Sequence, residues 1–138
     1  MTDHPRKLIR QKIKNLLIGK TVAGTNVFTN RTKPLVDLPI LLIYLKSEPA
    51  EVVKDLPIKR EAEILIELID KVGDDLDDRL DDEAYEIEKE LQGNEYLDGL
   101  VENIDIINTD IRLIEEGTKR YGSLLLTYRT RYYTRKFI

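Results

Sequence analysis

Apolar residues recur at helical spacing in two stretches of the chain and at strand spacing in several others. In residues 5–18, PRKLIRQKIKNLLI, Ile9, Ile13, Leu16 and Leu17 fall on one stripe, with Lys7, Arg10 and Lys14 roughly opposite. Pro5 suits a first turn, Thr2 or Asp3 is placed to cap it, and Gly19 is a natural stop. The pattern predicts a helix. A second helical pattern runs through Leu76, Leu80, Ala84, Ile87 and Leu91, with Gly93 as its expected C-cap.

Between and after these helices the period drops to two. LPILLIYLK, 38–46, is apolar on both alternating faces, as in a strand covered on both sides. In REAEILIEL, 60–68, Ala62, Ile64, Ile66 and Leu68 point one way and Glu61, Glu63 and Glu67 the other, which predicts a strand with one wet face. IDIINTDIRLIE, 104–115, changes phase between Ile106 and Ile107, the mark of a β-bulge. SLLLTYRTRYY, 123–133, places Leu124, Leu126, Tyr128, Thr130 and Tyr132 on one face, and Thr127, Arg129 and Arg131 on the other. Residues 20–37 read as a loop with a short strand near Val27–Thr29, KSEPAEVVKDLP as a polar loop or short edge segment, and EEGTKRYG as a turn.

Helix, strands, helix, strands, joined by short turns, predict an α+β fold. We expect a mostly antiparallel four- to five-stranded sheet with two helices packed on one face. With no internal repeat and no linker, residues 1–138 form a single domain, a length that buries a sizeable core.

Charge changes this picture more than composition does. Residues 1–36 hold eight Lys or Arg and one acid (+7), residues 37–117 eight and 25 (−17), and residues 118–138 six and none (+6). Either these are solvated faces that happen to segregate, or a basic surface meets an acidic one on a neighbouring copy or another partner. The candidate basic positions are Lys7, Arg10 and Lys14 on the first helix, Arg31 and Lys33 in the NRTKP loop, and Arg129 and Arg131 on the last strand. The candidate acidic positions are Asp74, Asp77, Asp78, Asp81 and Asp82.

The acidic run DDLDDRLDDE, 74–83, fails as a calcium loop. Such a loop needs acids at alternate positions and a central glycine, whereas Leu76 and Arg79 interrupt the ligand positions and no glycine is central. It reads as the wet side of an amphipathic helix, its early acids favoured by the helix dipole. The chain has no cysteine, which removes thiolate chemistry and disulfides, and its one histidine, His4, lies near an end of the chain, so no histidine-based triad is expected. GKT at 19–21 matches only the tail of a phosphate-loop motif, with Lys14 where a glycine belongs. No catalytic residue, cofactor or metal is expected. The first helix has no aromatic residue and the acidic middle repels phosphate, so no nucleic-acid reading role is expected. No apolar run is long enough to span a membrane and no secretory leader is expected.

Three segments, in their order and spacing, resemble the tail terminator family of long non-contractile phage tails, the minor tail protein U family. They are VFTNRTKPLVDLPILLIYL (27–45), REAEILIELI (60–69) and YGSLLLTYRTRYY (121–133), with the first helix matching in place and size, so the resemblance covers nearly the whole chain. The strongly acidic second helix departs from the family pattern. The resemblance implies a homo-hexameric ring on the head-proximal end of the tail tube, which stops tube polymerisation and offers a surface to the head–tail connector, without catalysis. Its implied partners are itself, the tail tube protein and the connector. Its implied place is the virion tail, after assembly in the host cytoplasm. Another small head–tail joining protein, or a non-phage adaptor, remains an alternative.

Overall fold

The computed structural model describes residues 3–30 and 38–135. Thr2, Arg31 and Lys33 lie outside the described residues. The elements are α1 (Pro5–Leu17), β1 (Val27–Phe28), β2 (Ile40–Ser47), β3 (Ala50–Glu51), β4 (Ile58–Lys71), α2 (Leu76–Gln92), a 3-10 turn at Leu97–Gly99, β5 (Asn103–Glu116) and β6 (Lys119–Thr134). α1 is capped by His4, not by Asp3: the His4 Nδ1 accepts from the Arg6 backbone N–H at 3.1 Å. Pro5 explains the difference. A proline tolerates the first helical position because it has no N–H to satisfy, and that makes residue 4 the cap. Gly19, at φ +77°, ends the helix in the left-handed region that glycine enters without strain.

The sheet has six strands, in the order β1-β2-β4-β6-β5, with β3 also paired to β4. It is larger than the four to five strands expected. The extra strand comes from the segment after Ser47: Pro49 ends β2, and Ala50 and Glu51 pair afresh with Arg60 and Lys59. β1 and β2 are parallel and every other pair is antiparallel. The turn expected over 115–122 is tighter. Strand pairing persists to Glu116↔Lys119, leaving Gly117 and Thr118 to turn the chain, with Gly117 at φ +61°.

Strand alternation sets the core. Ala62, Ile64, Ile66 and Leu68 on β4, with Leu124, Leu126, Tyr128 and Tyr132 on β6, are buried on one face of the sheet. They form one cluster with Ile9, Ile13 and Leu17 of α1 and Leu80, Ala84, Ile87 and Leu91 of α2. A smaller cluster of Ile40, Leu42, Ile69 and Tyr121 is also buried. By strand alternation these residues belong to the opposite face.

Glu67, expected on the wet face, is half-buried instead. Its carboxylate accepts from the Tyr44 hydroxyl at 2.9 Å and the Ser123 hydroxyl at 2.8 Å. The β5 register shifts between Ile106 and Asn108, at the phase change seen in the sequence.

Two placements matter for function. α1 touches β1 and β2 towards one edge of the sheet, α2 touches β5 and β6 towards the other, and the two helices touch each other between them. β5 is a fourteen-residue edge strand, and it leaves Ile106, Ile107, Ile111 and Leu113 between 38% and 49% exposed.

Candidate functional site

At the α1 edge, basic side chains gather around a concavity of about 510 Å³. His4, Arg6, Lys7 and Arg10 line it from α1 and its cap, and Tyr44 and Lys46 from β2. Arg6 is held at its rim by Glu48, a carboxylate whose side chain is only 5% exposed. The same carboxylate pairs with Arg60 at 3.0 Å and accepts from the Tyr132 hydroxyl, while Arg60 Nε donates to Thr134 Oγ1 at 2.8 Å. One buried acid thus ties the start of α1 to the β2–β3 joint, β4 and β6. Burial first, and then the hydrogen bond to Glu48, push the Tyr132 pKa well up. Burial, then the charges of Arg6 and Arg60, lower the His4 pKa below its usual value. Lys7 is exposed and lies 3.3 Å from Asp3. Arg10 and Lys14 make no ion pair among the described residues, and the Arg10 Nε is shut off from solvent without a hydrogen-bond partner.

Towards the opposite edge lies the acidic run. The structure separates its residues by role. Leu76 and Leu80 pack against or within the core. Arg79 turns back: it donates to Asp70 at 2.9 Å and to the Lys71 carbonyl at 2.9 Å, fastening the first turn of α2 to the end of β4. Glu83 accepts from the Val22 N–H at 3.0 Å and holds the loop after α1. Burial, with Asp70, Glu86 and Asp82 nearby, raises the Glu83 pKa against the pull of that hydrogen bond. Asp74, Asp77, Asp78, Asp81 and Asp82 are all exposed. Among the described residues no group of three or more His, Cys, Asp or Glu is arranged to hold a metal ion. No described helix is long and apolar enough to cross a membrane.

Arg129 and Arg131 sit elsewhere. They lie directly across β4 from Glu63 and Glu61, at 3.5 Å and 3.2 Å, as the alternation of the two strands implies. Lys46 at 3.9 Å from Glu63 and Lys59 at 3.7 Å from Glu61 extend each pair. These charges balance one another within the chain, and neither arginine lines the α1 concavity.

Sequence reading missed Glu48, Arg60 and Tyr132 as a unit, because their partners are 12 to 84 positions apart. The one available signal was an acid beside a proline in a stretch otherwise read as loop.

No protein-family model matches the chain, and no curated protein matches its sequence. Among solved structures, the fold is similar to a chain of one described as "Virion of native gene transfer agent (GTA) particle". That likeness has a TM-score of 0.46 at 12% identity, over 90% of this chain and 95% of that one. So distant a likeness carries no functional weight.

Proposed function

We propose that this chain is the tail terminator of a long non-contractile phage or prophage tail. In this reading six copies form a ring on the head-proximal end of the tail tube, stop its polymerisation and present a surface to the head–tail connector. The role is structural, without catalysis or cofactor. Its partners are further copies of itself, the tail tube protein and the connector, in the host cytoplasm during assembly and then in the virion tail.

One observation supports this reading most. The basic concavity and the acidic helix lie towards opposite edges of one sheet. A ring of identical subunits needs two unlike, complementary patches facing away from each other, because each copy must give one and receive the other. Opposite charges steer the encounter and fix its register. The long open edge of β5, with its exposed isoleucines, adds a surface that a lone subunit leaves uncovered. The resemblance in segment order and spacing supplies the tail context.

Electron microscopy of tails assembled without the protein is the test. Overlong tails support termination. Tails of normal length that fail to join heads favour a head–tail joining role and overturn this one.

A further inference from the structure

A groove of about 360 Å³ runs between α2 and β5, beside the open edge strand. Its walls are apolar where Leu91, Ile104 and Ile106 line it, and acidic where Glu88, Glu95 and Asp105 do. Tyr128, only 3% exposed, also lines it, and the Tyr128 hydroxyl has no hydrogen-bond partner among the described residues. A buried hydroxyl is ordinarily satisfied, so an orphan facing a groove asks for a visiting group.

We infer that this groove is a socket for one cationic side chain, Arg10, of a second copy of this chain. The inference rests on the ring reading and says which groups meet within it. The chemistry selects a cation with an apolar stem. Three carboxylates favour a positive partner, and the apolar wall suits methylene groups. An arginine fits best, because its planar fork offers five donors to several acceptors at once. Burial, and then the negative charge of Glu88, hold the Tyr128 hydroxyl protonated, so its oxygen accepts from a guanidinium while its hydrogen remains free for a carboxylate.

The choice of a second copy follows from the other edge. Arg10 lines the basic concavity and makes no ion pair among the described residues, so its charge is free for an outside partner. Thus one side of the sheet holds an unpaired cation and the other a groove lined by carboxylates. When the acidic edge of one copy meets the basic edge of the next, both are satisfied in one contact, and the β5 edge is covered by the same approach.

The chain has no cysteine, so introduced thiols report without background. The test mixes two singly substituted chains, Gln92→Cys at the groove and Lys7→Cys beside Arg10. The mixture is oxidised both as concentrated protein and in assembled tails, then read on a non-reducing gel. With one thiol per chain, only contact between copies forms the link. The expected result is a heterodimer at least tenfold above that from Asp82→Cys with Lys7→Cys, where the α2 thiol lies outside the groove. Tyr128→Phe in the Gln92→Cys chain should lower the yield several-fold with an unchanged or higher Tm, since the isolated subunit loses only an unsatisfied hydroxyl. Glu88→Gln should do the same. No heterodimer in either preparation, equal yields from the Asp82→Cys control, or an unchanged yield with Tyr128→Phe would each overturn the socket. Overlong tails without the protein, together with any of those results, leave the ring standing and remove the socket alone. Normal-length tails remove the terminator reading whatever the cross-link shows.

Discussion

Arg79 donates to the buried carboxylate of Asp70 at 2.9 Å, and this bond accounts for the one basic residue in a ten-residue acidic run. The Asp70 side chain is 7% exposed and the Arg79 side chain 35%. An arginine at this position holds the helix start against the strand that precedes it.

Removing Arg79 therefore does more than alter surface charge. Arg79→Ala leaves Asp70 buried and unpaired and frees the Lys71 carbonyl. The cost should fall between the ~1 kcal/mol of an exposed pair and the about 3–5 kcal/mol of a fully buried one. Asp78→Ala, in the same run but exposed, should stay within about 0.5 kcal/mol. Chemical denaturation of the two variants decides. Equal midpoints would mean that Arg79 is only part of the wet face.

Ile66 and Glu67 are adjacent and point to opposite faces of β4. Ile66 is fully buried between β2 and β6, so Ile66→Ala should cost about 2–5 kcal/mol. Glu67→Ala is not neutral, because Tyr44 and Ser123 both donate to that carboxylate. Losing the acceptor of one half-buried hydroxyl, Tyr44, and one buried hydroxyl, Ser123, should cost about 1–3 kcal/mol. Glu63→Ala, whose partners are exposed, should cost less than about 1 kcal/mol. The ranking Ile66, Glu67, Glu63 is read from denaturation midpoints, and Glu63 equal to Glu67 would refute the Tyr44–Glu67–Ser123 arrangement.

The strand phases were legible in the sequence because a face buried on one side imposes a period of two, and α2 was legible because its apolar stripe keeps a period near 3.6. The same logic reached the bulge at Ile107, where the period breaks. It reached neither Glu67 nor Arg79, since periodicity reports which way a side chain points and not what waits there. Glu48 was read as part of a polar loop, and its partners Arg6 and Tyr132 lie 42 and 84 residues away. The segregation of charge was plain along the chain. That the two charges lie towards opposite edges was not, because it depends on strand order, and β4 lies between β2 and β6 only through long-range pairing.

Gly122 lies where the start of α2 passes over β6. A Cβ there would meet Leu76 Cδ1 at 2.6 Å and Cδ2 at 2.8 Å. Gly122→Ala should cost about 1–3 kcal/mol by overpacking. In the double variant with Leu76→Ala the two losses should fall short of additive, since the second change removes the atoms the first one strikes. Fully additive losses would place the strain elsewhere.

His4 makes the start of α1 sensitive to pH. Its pKa is lowered from 6.5, first by burial and then by Arg6 and Arg60. The folded chain thus holds this proton less tightly than the unfolded chain. The stability His4 contributes is full above pH 6.5 and is lost as the pH falls through the folded-state value. Protonation also places a hydrogen on the Nδ1 that accepts from Arg6, which ends the cap. As the chain's only histidine, His4 gives an unambiguous NMR titration, expected to have its midpoint below 6.5. His4→Asn, a strong cap that does not titrate, should flatten the dependence. A midpoint at or above 6.5 would contradict the burial of this residue near the charges of Arg6 and Arg60.

Assembly should weaken with salt. The proposed contact sets Lys7 and Arg10 of one copy against the acidic α2 edge of the next, at a surface that ions reach. Screening lengths are about 8 Å at physiological ionic strength and about 3 Å at 1 M, so attraction across a wet rim fades over that range while apolar contact does not. Charge pairs of this kind mainly set the encounter rate and the register, so the association rate should fall more than final affinity. The double reversal Lys7→Glu/Arg10→Glu replaces attraction by repulsion. It should abolish association at low salt and recover part of it at high salt, the opposite of the wild type. Light scattering across salt concentration, on wild type and reversal, reads both trends. If the wild type forms a salt-insensitive oligomer and the reversal leaves it intact, charge is not what joins the copies. The exposed Ile106, Ile107 and Ile111 of β5 then become the contact, and the acidic run is a solvated helix face and nothing more.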